Sequence, residues 1–197
     1  MSKNTRNQHL QTPPHKKIDL DPNRIENHSF EWTESEIKLM DRCLRRADSV
    51  QKKGEIPVAA LIVDETGRII SESGNVRERQ QSVLGHCELV VLHNACKKKA
   101  SWRLTGCTLF VTLEPCPMCA AAIMQARIKR VIFATTDPKA GAFGSKIDLS
   151  TSPALHHKIE VRHGLLAAES SNLIKNFFKK RRSEKKINTP KPITIKS

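Results

Sequence analysis

No stretch of this chain is apolar for long enough to cross a bilayer, which takes about 20 residues. The longest apolar run, Val58 to Val63, has the length of a buried strand. The opening Met-Ser-Lys-Asn-Thr-Arg lacks the apolar core of a secretion signal. Met1 to Ile18 carries no acid but is poor in Ser and Arg, which goes against an organelle transit peptide. There is no internal repeat. A disulfide framework is not expected either, because the six cysteines sit in a chain of 197 residues with ample apolar pattern and no export signal. These absences point away from membrane and secreted classes. The expectation is a cytoplasmic protein with reduced thiols, in one main domain large enough to fold on a hydrophobic core.

Charge is abundant and lopsided. The formal net charge is +14. Residues 175–197 hold nine Lys/Arg against one Glu, whereas residues 1–30 hold five against three. A basic C-terminal end suits a polyanion such as nucleic acid. It equally suits a solvated tail, and charge alone does not separate the two.

Pattern divides the chain into a disordered arm over residues 1–30, a folded domain over 31–186 and a disordered tail over 187–197. Thr33 followed by Glu36 has capping-box spacing, with Trp32 and Ile37 at the staple positions. Ile37, Met40, Cys43, Leu44 and Ala47 then mark the buried face of a helix that ends near Gly54. Strands are expected at Pro57–Asp64, Arg68–Gly74, Cys107–Leu113, Arg130–Ala134 and Ile159–Arg162. The first two are joined by Glu65-Thr66-Gly67 as a hairpin. Helices are expected from His86, with Leu89, Val90, Leu92, His93 and Cys96 near its apolar stripe, from Cys116, and from Ala167 into Lys179-Lys180-Arg181-Arg182. Residues 75–85 and 135–153 read as loops. The alternation predicts an α/β fold, a three-layer α/β/α sandwich around a mixed, five-stranded sheet. Cys43, Cys96 and Cys107 read as small core residues, His93 as a packed histidine, and Phe177-Phe178 as one core ring and one exposed ring.

The chemistry concentrates in two short segments. In Pro115-Cys116-Pro117-Met118-Cys119, two thiols three apart share a face at a helix start, where positive partial charge favours thiolates. Pro117 fits the first turn, where its missing N–H costs nothing. Such a pair serves zinc or thioredoxin-like redox chemistry, and by itself does not decide. His86, 30 residues earlier, shifts the balance to metal. One His and two Cys leave the fourth tetrahedral position open for water. Glu88 is placed to move protons beside that water. Residues two apart on a regular helix diverge by about 200°. His86 and Glu88 therefore converge only if His86 lies at the irregular helix edge, next to Gly85.

His86-Cys87-Glu88 and Pro115-Cys116-Pro117-Met118-Cys119 match the H-x-E…P-C-x-x-C signature of zinc nucleobase deaminases. With Gly54-Glu55-Ile56-Pro57-Val58, Thr112-Leu113-Glu114, Asp137-Pro138-Lys139-Ala140-Gly141, Gly144-Ser145 and Phe177-Phe178-Lys179-Lys180-Arg181-Arg182, the chain resembles the bacterial tRNA adenosine deaminases, from about Phe30 to Lys186. The resemblance implies a cytidine deaminase-like fold, one Zn2+ per subunit on His86, Cys116 and Cys119, and Glu88 as catalytic proton shuttle. It implies that Asn75 hydrogen-bonds the purine and that Pro57 and Val58 floor the pocket. Cys87 and Pro115 would border the substrate, and Asp137 and Lys139 would contact the nucleotide and its neighbours. Phe178, Lys179, Arg181 and Arg182 would cradle the tRNA anticodon stem-loop. It further implies a homodimer and the conversion of a flipped wobble adenosine to inosine, by attack at C6 with protonation of N1. One departure is Cys87, where the family usually has Ala. A free-base deaminase of the guanine or cytosine type, or a non-catalytic RNA-binding subunit on the same fold, are the rival functions. The basic C-terminal stretch argues against the first and Glu88 against the second.

Overall fold

The computed structural model describes residues 30–188, and of residues 185–188 only the backbone course. The expected arm, except Phe30, and all of the expected tail beyond Asn188 lie outside the described residues. Chain order is α1 (Glu34–Gln51), β1 (Ala59–Val63), β2 (Ile69–Gly74), α2 (Arg77–Gln80), α3 (Cys87–Lys99), β3 (Thr108–Leu113), α4 (Pro117–Gln125), β4 (Arg130–Thr135), β5 (Glu160–His163) and α5 (Ala167–Asn188). One 3-10 turn, Leu149–Thr151, interrupts the long segment before β5. Helix α5 takes in residues 187 and 188, the start of the stretch expected to be disordered. No described helix is long and apolar enough to cross a membrane.

The five strands form one mixed sheet in the order β2-β1-β3-β4-β5. The β1–β2 hairpin and the β1–β3 pair are antiparallel, whereas β3–β4 and β4–β5 are parallel. Strand periodicity sorts the core into two halves. Ala60, Ile62, Leu109, Val111, Val131 and Phe133 face α3 and α4. Leu61, Val63, Phe110, Ile132 and Ala134 face the other way, toward Met40 and Cys43 of α1 and Leu165 at the entry to α5. Apolar residues at every position of β1 therefore mean a strand covered on both faces. This is the expected three-layer sandwich.

Helix α1 starts as its sequence dictates. The Thr33 hydroxyl accepts the Glu36 N–H at 3.2 Å, and the Glu36 carboxylate accepts the Thr33 N–H at 3.0 Å. Glu36 is also buried against Arg130 at 3.2 Å, tying the cap to β4. Trp32 packs on the α1 side of the core, but Ile37 is 41% exposed and Leu44 only half-buried. The buried stripe is instead Met40, Cys43, Ala47 and Val50.

Helix α3 is also rotated from expectation. Its buried face is Glu88, Val91, Leu92 and Ala95, joined by Cys87, while Leu89, Val90 and Cys96 are half-buried and His93 is exposed. Glu88 sits on the inward face with the apolar residues, so the apolar pattern alone misplaces the stripe. Cys43 and Cys107 are core residues, and all six cysteines are free thiols.

Replacing Thr33 by Ala removes one half of the capping box and should destabilise the fold by about 1 kcal/mol. Urea unfolding of wild type and Thr33→Ala, with unchanged m-value, measures it.

Candidate metal centre and nucleotide cleft

Two helices begin at the same end of the sheet, and their first residues carry the chemistry. His86 is the N-cap of α3, with extended backbone at φ −70° and ψ 138°. It therefore lies outside the helical repeat, and its ring and the Glu88 carboxylate both reach one cleft. Cys116 is the N-cap of α4 in the same extended conformation, Pro117 opens the first turn and Cys119 follows on it. The Nδ1 atom of His86 lies 3.7 Å from Cys116 Sγ and 3.5 Å from Cys119 Sγ. The three ligand atoms all lie within 4.8 Å of one another.

This triangle fits zinc. Tetrahedral coordination with Zn–S of about 2.3 Å and Zn–N of about 2.0–2.1 Å separates nitrogen from sulfur by about 3.6 Å. Both observed distances fall on that value. The donors are two soft thiols and one imidazole, with no fourth protein ligand among the described residues, which is the composition of an open, catalytic zinc site. The Cys116 thiol is held well below its ordinary value, first by the hydrogen bond from Cys119 and next by that of His86. Cys119 is pushed up by that same bond and by burial. His86 is raised by its bond with Cys116, against burial. Zinc needs both sulfurs as thiolates and the imidazole neutral, so its binding releases the protons these groups carry.

Glu88 is buried, and burial pushes its carboxyl up. The Cys87 thiol lies 3.1 Å from Glu88 Oε2 and donates to it. Cys87 is fully buried, turned to that carboxylate and absent from the ligand group. Its backbone N–H donates to Asn75 Oδ1 at 3.0 Å. That donor fixes the amide's orientation, so Asn75 offers its NH2 group elsewhere.

The cleft measures about 200 Å³ and is lined by Val58, Asn75, His86, Glu88, Cys116 and Asp137 among others. Other expected residues sit differently. Pro57 is buried, and its neighbour Ile56 lines the cleft in its place. Pro115 is also buried, its carbonyl accepting the Ala142 N–H at 2.9 Å. Lys139 is exposed outside the cleft lining, where Ala140 stands instead. Asp137 turns its carboxylate back on its own loop, accepting the N–H groups of Lys139 and Ala140.

Two buried carboxylates were not among the expected site residues. Glu55 accepts the N–H groups of Glu78 and Arg79 at 3.1 and 2.9 Å and so holds α2. Glu114 holds the loop that carries Asp137. Both stand in the quoted motifs, but nothing in their spacing announces a loop clamp. Residues 75–85, expected as loop, contain the short helix α2.

On α5, Phe177 is buried and Phe178 is 41% exposed, edge-on to it at 5.4 Å. Lys179 to Arg182 are all exposed. Lys180 and Arg181 line a groove shared with Gln51, Lys52 and Gly54, next in sequence to Glu55 of the cleft. Arg181 lies over the Phe177 ring at 5.7 Å. Lys179 and Arg182 are not in that groove, and Lys180 joins it.

Residues 33–135 match the family described as the cytidine and deoxycytidylate deaminase zinc-binding region. The tRNA-specific adenosine deaminase of Haemophilus influenzae is 43% identical over 155 residues, 79% of this chain and 90% of the relative. That of Bacillus subtilis is 39% identical over 154 residues, 78% and 94%. A solved structure from work on A-to-I editing by tRNA:A34 deaminases at the wobble position of transfer RNA superimposes with a TM-score of 0.67. It is 40% identical and covers 69% of this chain and 98% of its own.

Gly85 precedes His86, and a Cβ there would lie 2.6 Å from the Arg77 Cα. Gly85→Ala should displace the histidine and weaken zinc binding by about 10- to 100-fold. Competition against a chelator of known affinity measures the loss.

Proposed function

The chain belongs to the tRNA-specific adenosine deaminases of the cytidine and deoxycytidylate deaminase zinc-binding family, and from that membership we propose how its own residues carry the reaction. The activity is hydrolytic deamination of adenosine to inosine at the wobble position of tRNA. The observation that carries the residue assignment is the triangle of His86, Cys116 and Cys119, opening with Glu88 on one cleft.

His86, Cys116 and Cys119 hold one zinc ion. When bound, zinc supplies the Lewis acidity that makes water a nucleophile near neutral pH. Glu88 carries the protons. It takes one from the attacking water and delivers it to N1 of adenine as C6 is attacked, and it passes the next to the leaving amine, which departs as ammonia. Burial, which raises the Glu88 carboxyl, suits a group that must both accept and give up a proton. Asn75, its oxygen engaged by Cys87, donates its NH2 to an acceptor nitrogen of the purine. Val58 and Ile56 give the ring an apolar floor, and Asp137 borders the nucleotide.

The anticodon stem-loop reaches this cleft along the groove beside α5. Lys180 and Arg181 in the groove, flanked by exposed Phe178, Lys179 and Arg182, supply phosphate contacts and a stacking surface. A single-stranded loop presents its base at low unstacking cost. Val83 and Leu84, 65% and 60% exposed just before His86, support a homodimer in which a second copy covers this apolar tip. Reduced thiols at the site suit the cytoplasm.

With zinc-loaded protein and a tRNA anticodon stem-loop bearing a wobble adenosine, inosine should form. Glu88→Gln should keep the metal and lose about 100- to 10,000-fold in kcat. Equal rates in wild type and variant, or turnover of free guanine or cytosine in preference to RNA, would contradict the assignment.

A further inference from the structure

Of the two buried carboxylates on the cleft wall that the mechanism does not use, Glu55 and Glu114, the second borders the metal-holding segment. Glu114 is 2% exposed and stands two residues before Cys116, at the end of β3. Both of its oxygens are engaged by one distant loop. Oε2 accepts the Asp137 N–H at 3.0 Å and the Ser145 hydroxyl. Oε1 accepts the N–H groups of Phe143 at 3.0 Å and Ser145 at 3.1 Å. Burying a carboxylate is costly unless it is fully hydrogen-bonded, and here all four donors come from residues 137–145. The backbone on either side of Glu114 joins the same clamp. The Glu114 N–H donates to Thr135 O at 2.8 Å, and Pro115 O accepts from Ala142 at 2.9 Å. The loop crosses the carboxylate at a distance only glycine permits, since a Cβ on Gly141 would lie 2.2 Å from Glu114 Oε2.

Glu114, Cys116, Asp137 and Ala140 all line the cleft. We infer that Glu114 is a positioning residue for the deamination, fixing the wall of residues 137–140 relative to the metal-holding tip of α4 and so setting the width of the cleft that the nucleotide enters. The inference rests on the reading of that cleft as the adenosine site. A surface loop needs no buried charge to hold it in place. A wall that must keep register with a metal centre gains from being referenced to the same strand end. Glu114 acts through Asp137 and Ala140 and does not itself handle the reacting atoms. Its loss should therefore appear in how the nucleotide is held, and in how strongly the base beside the target is discriminated.

Three variants test this on the full-length, zinc-loaded protein. Glu114→Gln replaces one acceptor oxygen by a donor facing N–H groups. Gly141→Ala pushes the loop off the carboxylate from outside, without altering the strand that leads to Cys116. Ser145→Ala removes one of the four donors. Each is compared with wild type on anticodon stem-loops that differ only in the nucleotide following the target adenosine. Glu114→Gln and Gly141→Ala should retain one zinc per chain, lose up to about 100-fold in kcat/KM, mainly through KM, and narrow the rate ratio between the two stem-loops. Ser145→Ala should shift both quantities the same way by less. Should Glu114→Gln lose zinc, Gly141→Ala decides. If the variants lower the melting temperature but leave KM and the rate ratio of the zinc-loaded protein unchanged, the inference is overturned. A wild-type protein that makes no inosine would instead overturn the functional reading on which the inference rests.

Discussion

Three ligand atoms meet because two helices start side by side at the same end of the sheet, and the first residue of each is not helical. His86 and Cys116 both occupy N-cap positions with extended backbone, and from there their side chains reach across to each other. A histidine one turn further into α3 would point elsewhere, and a cysteine pair buried mid-helix would lack the N-terminal N–H groups that favour a thiolate. The fold serves this point. Parallel pairing of β3 and β4 places α4 and the segment after β4 at the same strand ends, where open α/β sheets form their binding crevices.

Around that metal-holding point, the cleft walls are fastened by carboxylates that accept backbone N–H groups. Glu55 holds the short helix α2. That helix belongs to the segment that begins with Asn75 and ends at His86. Glu114 does the same for the segment of Asp137. Both walls lie outside the sheet and the long helices. Buried acceptors with several amide donors convert loops into fixed surfaces, and fixed surfaces are what orientation of a nucleotide requires. Cys87 joins this arrangement from the α3 side, with its backbone N–H on Asn75 and its thiol on Glu88.

Much of this was legible in the sequence where the signal is local or periodic. The Thr33–Glu36 box and the doubly covered strand after Pro57 follow from short-range spacing, and the grouping of His86 with the two cysteines from the chemistry of the donors and the deaminase signature. The rotation of α3 was not, because Glu88 takes an inward position that apolar counting gives to Leu89 and His93. Ile56 rather than Pro57 lines the cleft, and Ala140 rather than Lys139. In each case a neighbour one or a few positions away was expected, since a motif marks a segment but not which of its side chains turns inward. The clamp by Glu114 links residues 23 to 31 positions apart, and long-range bonds to backbone N–H groups leave no trace in side-chain pattern.

Everything else turns on one zinc ion held by two sulfurs and one imidazole at the meeting of α3 and α4, with Cys87 outside the set. X-ray absorption at the zinc edge on the purified protein, with metal content measured on the same sample, tests it most directly. One zinc per chain with two sulfur neighbours and the remainder nitrogen or oxygen is the expected result. A third sulfur in the first coordination sphere, or a folded protein that binds no zinc, would contradict it.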